Sequence, residues 1–171
     1  MRFSLAVAAA CALVATGARA QYGAITKPLS LGVRAGVFMP KNTENGKSWL
    51  ALGVDGKINL PFLPIIGGQE VSLDYIRKSS DASLVGVTLV QKFASPSVVP
   101  GQPKTYVGLG VGVYNFKWKA GTVDEKKTVP GFKALAGVNF KNYYIQGDYH
   151  YPLGSAAKPV RGLAVTLGIR Y

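Results

Sequence analysis

The chain has 171 residues, with 20 Lys and Arg against 8 Asp and Glu, a formal net charge of +12, and a single cysteine, Cys11. That length suits one domain. One cysteine rules out an internal disulfide framework and multi-cysteine zinc chemistry. A strong basic excess often points to nucleic acid, but the first segment of the chain argues against that class.

"MRFSLAVAAACALVATGARA" has a basic start at Arg2, an apolar run, and Ala-Arg-Ala directly before Gln21. This is the pattern of a cleaved secretory signal peptide, and the run is short for a spanning anchor. Cys11 lies inside the run with no Leu three residues before it, which argues against lipoprotein processing. Residues 1–20 are therefore expected to be removed. The remaining domain, 21–171, keeps 151 residues and a net charge of +10, and contains no cysteine. An exported chain rarely meets nucleic acid, so none is expected as a partner. Anionic surfaces such as phosphorylated lipid head groups fit the charge better.

Beyond the signal, no apolar run reaches the length of a membrane helix. Instead the chain alternates. Candidate strands fall at 30–39, 49–60, 70–78, 84–93, 105–118, 131–140, 143–152 and 161–171. In "TYVGLGVGVYNFKWK", Val107, Leu109, Val111 and Val113 share one face, and Tyr106, Gly108, Gly110, Gly112 and Tyr114 share the other. "RGLAVTLGIRY" repeats the pattern. Strand side chains point to opposite faces in turn, so each segment has one apolar and one polar-or-small side. The separators are rich in turn formers, and Lys141-Asn142 is a tight hairpin turn. With no helix between strands, consecutive strands pair antiparallel. An all-β, eight-stranded antiparallel up-and-down barrel follows. Segments near ten residues match tilted membrane-crossing strands, which makes it a transmembrane barrel if its apolar face is outside.

Three features put the apolar face outside. Glycine crowds the polar face, where it weakens an exposed strand but makes room in a narrow lumen beside Tyr106, Tyr114 and Tyr144. Charges of both signs share that face: Arg34, Lys57, Lys92, Lys133 and Arg170 with Asp55, Glu70, Asp74 and Asp148. Buried charges need such partners. The apolar face also carries aromatics near strand ends. Phe93, Phe140, Tyr143 and Tyr171 fall at one rim, and Tyr75, Phe132, Tyr149 and Tyr151 fall toward the other. Bilayer interfaces select two such girdles. The opposite arrangement, a soluble periplasmic lipid-binding barrel, is the alternative that these features oppose.

On these residues the chain resembles the small outer-membrane β-barrel family, the OmpA/OmpX-like barrels. The resemblance covers 21–171 as a pattern, carried mainly by the signal peptide and the terminal aromatic strand. It implies location in the cell outer membrane of a Gram-negative-type bacterium and contact with outer-membrane lipid, including lipopolysaccharide. It further implies that Val165, Leu167, Ile169 and Tyr171 form the sorting signal read by the barrel-assembly machinery. A monomer is expected. One departure stands out: the connections at 61–69 and 94–104 would be periplasmic, yet they are as long as the outer loops.

Little catalytic chemistry is available. An eight-stranded lumen is filled by its own side chains, so the charges read as a structural network rather than a pore lining. A lipid-A-modifying enzyme of the deacylase type pairs His with Ser two residues on. The only histidine, His150 in "DYHYP", is followed at that position by Pro152, leaving only a distant serine such as Ser72. His150 is expected at the rim, hydrogen-bonded to a neighbour. "GLGVGV" at 108–113 lacks the spacing and helix of a nucleotide loop. No metal or cofactor set is evident. The remaining candidates are the basic outer loops, with Lys41, Lys47, Lys117, Lys119, Lys126 and Lys127, which suit phosphates or acidic polymers. The expected role is structural or surface-interacting, and non-enzymatic.

Overall fold

The computed structural model describes residues 30–41, 48–58, 68–79, 82–95, 103–120 and 123–171. The expected signal segment, Lys47 and most of the two long connections expected at 61–69 and 94–104 lie outside the described residues. Eight strands follow in chain order: β1 (Leu31–Pro40), β2 (Trp49–Ile58), β3 (Gly68–Ser79), β4 (Ala82–Ala94), β5 (Lys104–Ala120), β6 (Val123–Phe140), β7 (Tyr143–Pro152) and β8 (Gly162–Arg170). Each pairs antiparallel with the next, and β8 returns to β1 to close the barrel. At the seam, Tyr171 N–H donates to Leu31 C=O at 2.8 Å and Leu31 N–H donates to Tyr171 C=O at 3.3 Å. Closure removes the unpaired edges that an open sheet would present.

The largest difference from the sequence reading is at β5 and β6. Within the segment 119–130, expected as a loop, residues 119–120 and 123–130 continue the ladder through Lys117↔Lys126 and Lys119↔Asp124. Lys117, Lys119, Lys126 and Lys127 therefore stand on hairpin strands, not in a loop. Apolar alternation reports which side chains are shielded from water, whereas a ladder needs only backbone pairing. It therefore runs on through Asn115, Lys117, Thr128 and Lys126, where the alternation of the outer face has ended. Between β6 and β7 the two-residue turn is present, with Lys141 at φ 53°.

The faces partition as charge and apolarity demand. Val37, Leu52, Val87, Val107, Leu109 (67% exposed), Val111, Ile145, Val165 and Leu167 lie on the outer surface. Arg34, Asp55, Glu70, Asp74, Lys133 and Asp148 lie inside, each at 5% exposure or less. Both aromatic sets are on the outer side: Phe93, Phe140, Tyr143 and Tyr171 on one rim, and Tyr75, Phe132 and Tyr151 toward the other, with Tyr149 partly covered.

The interior also contains an apolar layer that the alternation concealed. Phe38 at the end of β1, Trp49 at the start of β2, Ile76 late in β3, Leu84 early in β4 and Phe116 late in β5 converge at one end of the lumen. The β7–β8 connection folds over them. Its 3-10 turn at Lys158–Val160 buries Val160, and Ala157 packs beside it. Arg161 fixes this connection, donating to the carbonyls of Pro152 (3.0 Å) and Gly154 (2.9 Å) and stacking on Tyr151 at 4.1 Å. The apolar layer plugs that mouth of the barrel.

Glycine sets where the large rings go. A Cβ on Gly86 would sit 2.7 Å from the Tyr114 ring, and one on Gly131 would meet the same ring from the next strand. Tyr114 thus lies in a slot between two glycines. We expect Gly86→Val to push the ring out of this slot and cost about 1–3 kcal/mol, measured by equilibrium unfolding in urea. An unchanged midpoint would show that the ring has room to move.

Candidate functional site

The polar interior is built around Arg34 on β1. Alternation turns Arg34 inward between Val33 and Ala35, and its guanidinium reaches three carboxylates on three other strands. Nε donates to Asp55 Oδ2 at 3.0 Å, Nη1 to Asp148 Oδ2 at 2.6 Å, and Nη2 to Asp74 and to Ser72 Oγ at 2.9 Å. The planar fork of arginine suits this multiple recognition, which a point-charge lysine cannot reproduce. Lys133 on β6 completes the cluster, donating to Asp74 Oδ2 at 2.8 Å and Ser72 Oγ at 2.8 Å, with Asp148 Oδ1 at 3.3 Å.

A second cluster sits toward the opposite end of the lumen from the plug. Glu70 accepts from Arg170 at 3.1 Å and pairs with Lys92 at 2.6 Å. Lys92 also donates to Gln146 Oε1 at 3.2 Å, and Gln146 Nε2 donates to Asp148 at 2.8 Å, which links the two clusters. Tyrosines add hydroxyls: Tyr144 donates to Asp55 at 3.0 Å and Tyr106 to Gln146 at 2.8 Å. Arg34, Lys92, Lys133 and Arg170 therefore balance Asp55, Glu70, Asp74 and Asp148, and the described network is electrically neutral. A neutral set of paired buried charges ties the strands together.

Lys57 does not join this network. Its parity is correct, but it stands exposed near the end of β2. Glu70, opposite it in register, turns to Lys92 and Arg170 instead. At a strand end water solvates an ammonium better than a shared carboxylate does.

His150 also departs from expectation. It is not at the rim and has no hydrogen-bonded neighbour. The ring is 0% exposed, lies 6.2 Å from Phe38 and 6.0 Å from Tyr114, and neither nitrogen has a partner. It marks the boundary between the apolar plug and the charged layer. Ser72 is engaged by Arg34 and Lys133, so no Ser–imidazole pair forms. Among the described residues, no group of three His, Cys, Asp or Glu side chains is placed to hold a metal.

The basic side chains of the candidate outer surface are only partly gathered. Lys41 is exposed just after β1. Lys127 pairs with Glu125 at 3.1 Å, and Lys119 faces Asp124 across the hairpin. Lys117 and Lys126 face each other directly. The C-terminal residues Val165, Leu167 and Tyr171 are exposed on the outer wall, and Ile169 is partly covered beside them.

Neither protein-family models nor curated proteins give a match to this chain. Solved structures do. The N-terminal β-barrel domain of OprF from Pseudomonas aeruginosa is similar at a TM-score of 0.50 and 15% identity, over 82% of this chain and 95% of that one. Neisserial surface protein A is similar at 0.49 and 13% identity, over 83% and 94%. Ail, the attachment invasion locus protein of Yersinia pestis, solved with the heparin analogue sucrose octasulfate, is similar at 0.42 and 17% identity, over 84% and 96%. The likeness at these identities is one of fold. The chain is a closed, antiparallel, eight-stranded all-β barrel, the architecture of small outer-membrane barrels.

Proposed function

We propose that this protein is an outer-membrane barrel of a Gram-negative-type bacterium, monomeric and non-catalytic, with a structural and surface-interaction role. The observation that carries the reading is the reversed partition of the strands: aliphatic side chains outside and paired charges inside. A soluble barrel would gain nothing from an aliphatic exterior of this extent. In a bilayer that exterior contacts lipid, while closure satisfies the backbone hydrogen bonds that hydrocarbon cannot. The basic residues on the outer side contact anionic head groups or acidic polymers, including lipopolysaccharide phosphates.

Two cell-free and cellular readouts test the role together. The purified barrel is expected to give no reproducible conductance in planar bilayers, and cells expressing it are expected to keep lipid A of unchanged mass. Steady conductance would make it a pore. A lipid A mass change abolished by His150→Ala would make it a lipid-modifying enzyme. Recognition of Val165, Leu167, Ile169 and Tyr171 by the assembly machinery belongs to the same proposal. Tyr171→Ser is expected to lower outer-membrane recovery at equal synthesis, and unchanged recovery would remove Tyr171 from that signal.

A further inference from the structure

The eight acidic side chains of the sequence are unevenly distributed along the barrel axis. Asp55, Glu70, Asp74 and Asp148 belong to the neutral lumen network. The other four, Glu44, Asp81, Asp124 and Glu125, fall in sequence within or beside the three connections that join strands at the plugged end. The opposite rim, where β1 begins and β8 ends, has three exposed lysines outside the network: Lys57, Lys104 and Lys141. Among the described residues none of these three is in an ion pair. Two of them are neighbours. Lys104 opens β5 opposite Asn139 of β6, and Lys141 follows two residues later in the β6–β7 turn. One strand spacing and two residues of rise put their backbones about 8 Å apart, so two flexible stems can bring both ammonium groups to one anion. Lys141 is also the one described non-glycine residue at positive φ, 53°. Glycine, Asn or Asp holds such a turn position at lower cost, so the backbone gives no reason for a lysine there. Phe140 and Tyr143 flank it, paired in register on the outer wall at 44% and 56% exposure, with Ile145 next along β7 on the same face.

We infer that this corner of the rim is a binding site for an anionic glycerophospholipid, its phosphate held by Lys104 and Lys141 and its glycerol and upper chains against Phe140, Tyr143 and Ile145. The inference rests on the membrane reading above, which puts this rim on the periplasmic side, and it adds a lipid partner there. From the turn inward the wall presents ammonium, then aromatic, then aliphatic groups. A glycerophospholipid has the matching order of phosphate, ester region and chain, and aromatic rings favour the interfacial level. A soluble anion would use the lysines and leave the two rings without a role. At the plugged end Lys127 pairs with Glu125 and Lys119 faces Asp124. Lys104 and Lys141 have no such carboxylate, and a phosphate supplies the missing charge. Lys57 ends β2, across the barrel from β6, and stands outside the site.

The test uses the folded protein in phosphatidylcholine nanodiscs, with phosphatidylglycerol or zwitterionic phosphatidylethanolamine added, and bound lipid counted by native mass spectrometry. Insertion of the wild type and of each variant is scored first by boiling-dependent gel mobility, so failure of the wild type to insert overturns the membrane reading itself. Once inserted, the wild type retains phosphatidylglycerol in preference to phosphatidylethanolamine. Lys104→Gln/Lys141→Asn reduces that preference by at least about tenfold, and Asn suits the turn, so the hairpin is kept. Lys141→Asn alone reduces it partway. Phe140→Ala/Tyr143→Ala lowers retention of both lipids, and Lys57→Gln leaves both unchanged. An inserted barrel with no preference for phosphatidylglycerol, or a double lysine variant that keeps it, overturns the site. An equal loss in Lys57→Gln makes the effect one of net rim charge and also overturns it. Unchanged retention in Phe140→Ala/Tyr143→Ala assigns the lysines to a soluble anion and overturns the lipid.

Discussion

Arg34→Leu is expected to destabilise the folded barrel by about 3–5 kcal/mol, because breaking a buried ion pair strands the surviving charges. The substitution leaves Asp55, Asp74 and Asp148 buried inside the lumen, with Lys133 placed to reach only Asp74 and Asp148. Asp55 keeps the Tyr144 hydroxyl as a neutral donor, which is weaker compensation than a guanidinium. Arg34→Lys retains the charge but cannot span three carboxylates on three strands, so an intermediate loss is expected. Equilibrium unfolding in urea, from detergent or lipid, measures both variants. A loss below about 1 kcal/mol for Arg34→Leu, the scale of an exposed pair, would mean that water reaches the network and that the lumen is open.

The second large effect belongs to the outer wall. Leu109→Arg and Val165→Arg place a cation on side chains exposed at 67% and 40%, in the middle of the aliphatic band. In water such changes cost little, since an exposed leucine has scant packing to lose. At the bilayer midplane the cost is about 2–4 kcal/mol, falling to about 0–1 kcal/mol near the interface. Asn115→Arg, one same-face step below Lys117 and Lys126 and outside the aliphatic rows, therefore serves as the internal contrast. The account predicts a graded series, with Leu109 and Val165 costly and Asn115 nearly neutral. Equal, small effects at all three positions would contradict a lipid-facing wall.

The sequence contained the barrel and much of its interior, for a definite reason. Alternation along the strands encodes facing directly, so parity alone assigns Leu109 and Val165 to one wall and Arg34, Asp74 and Asp148 to the other. Glycine beside tyrosine carried similar weight, because Gly86 and Gly131 leave the space that Tyr114 fills. The apolar plug escaped notice because its residues share the parity of the charges. Phe38, Ile76 and Phe116 occupy the inward positions of strands whose inward face was read as polar or small. A signal for it was present in "YNFKWK". There the apolar positions switch from odd to even, with Val111 and Val113 outward but Tyr114, Phe116 and Trp118 inward. The switch marks where the wall stops needing an aliphatic exterior. The same blind spot shortened β5 and β6. His150 was misplaced for a third reason: parity gives the direction of a side chain but not its depth, and depth set its neighbours to Phe38 and Tyr114 rather than water.

Lys57 shows the limit of counting charges by parity. Eight of the charged residues on the inward face pair with one another, and Lys57 stands apart at the strand end, because pairing depends on height along the barrel as well as facing. The nearness of Lys104 to Lys141 depends on the register between β5 and β6. No local pattern in the chain brings those two lysines together.

The central claim is that the aliphatic wall faces lipid. Its most direct test is fractionation of cells expressing the full chain, combined with gel mobility before and after boiling. Recovery in the outer membrane, with mobility that changes on boiling, is the predicted result for a closed barrel embedded in lipid. Recovery as a soluble periplasmic protein, with mobility indifferent to boiling, would contradict it and leave the exposed aliphatic wall without its solvent.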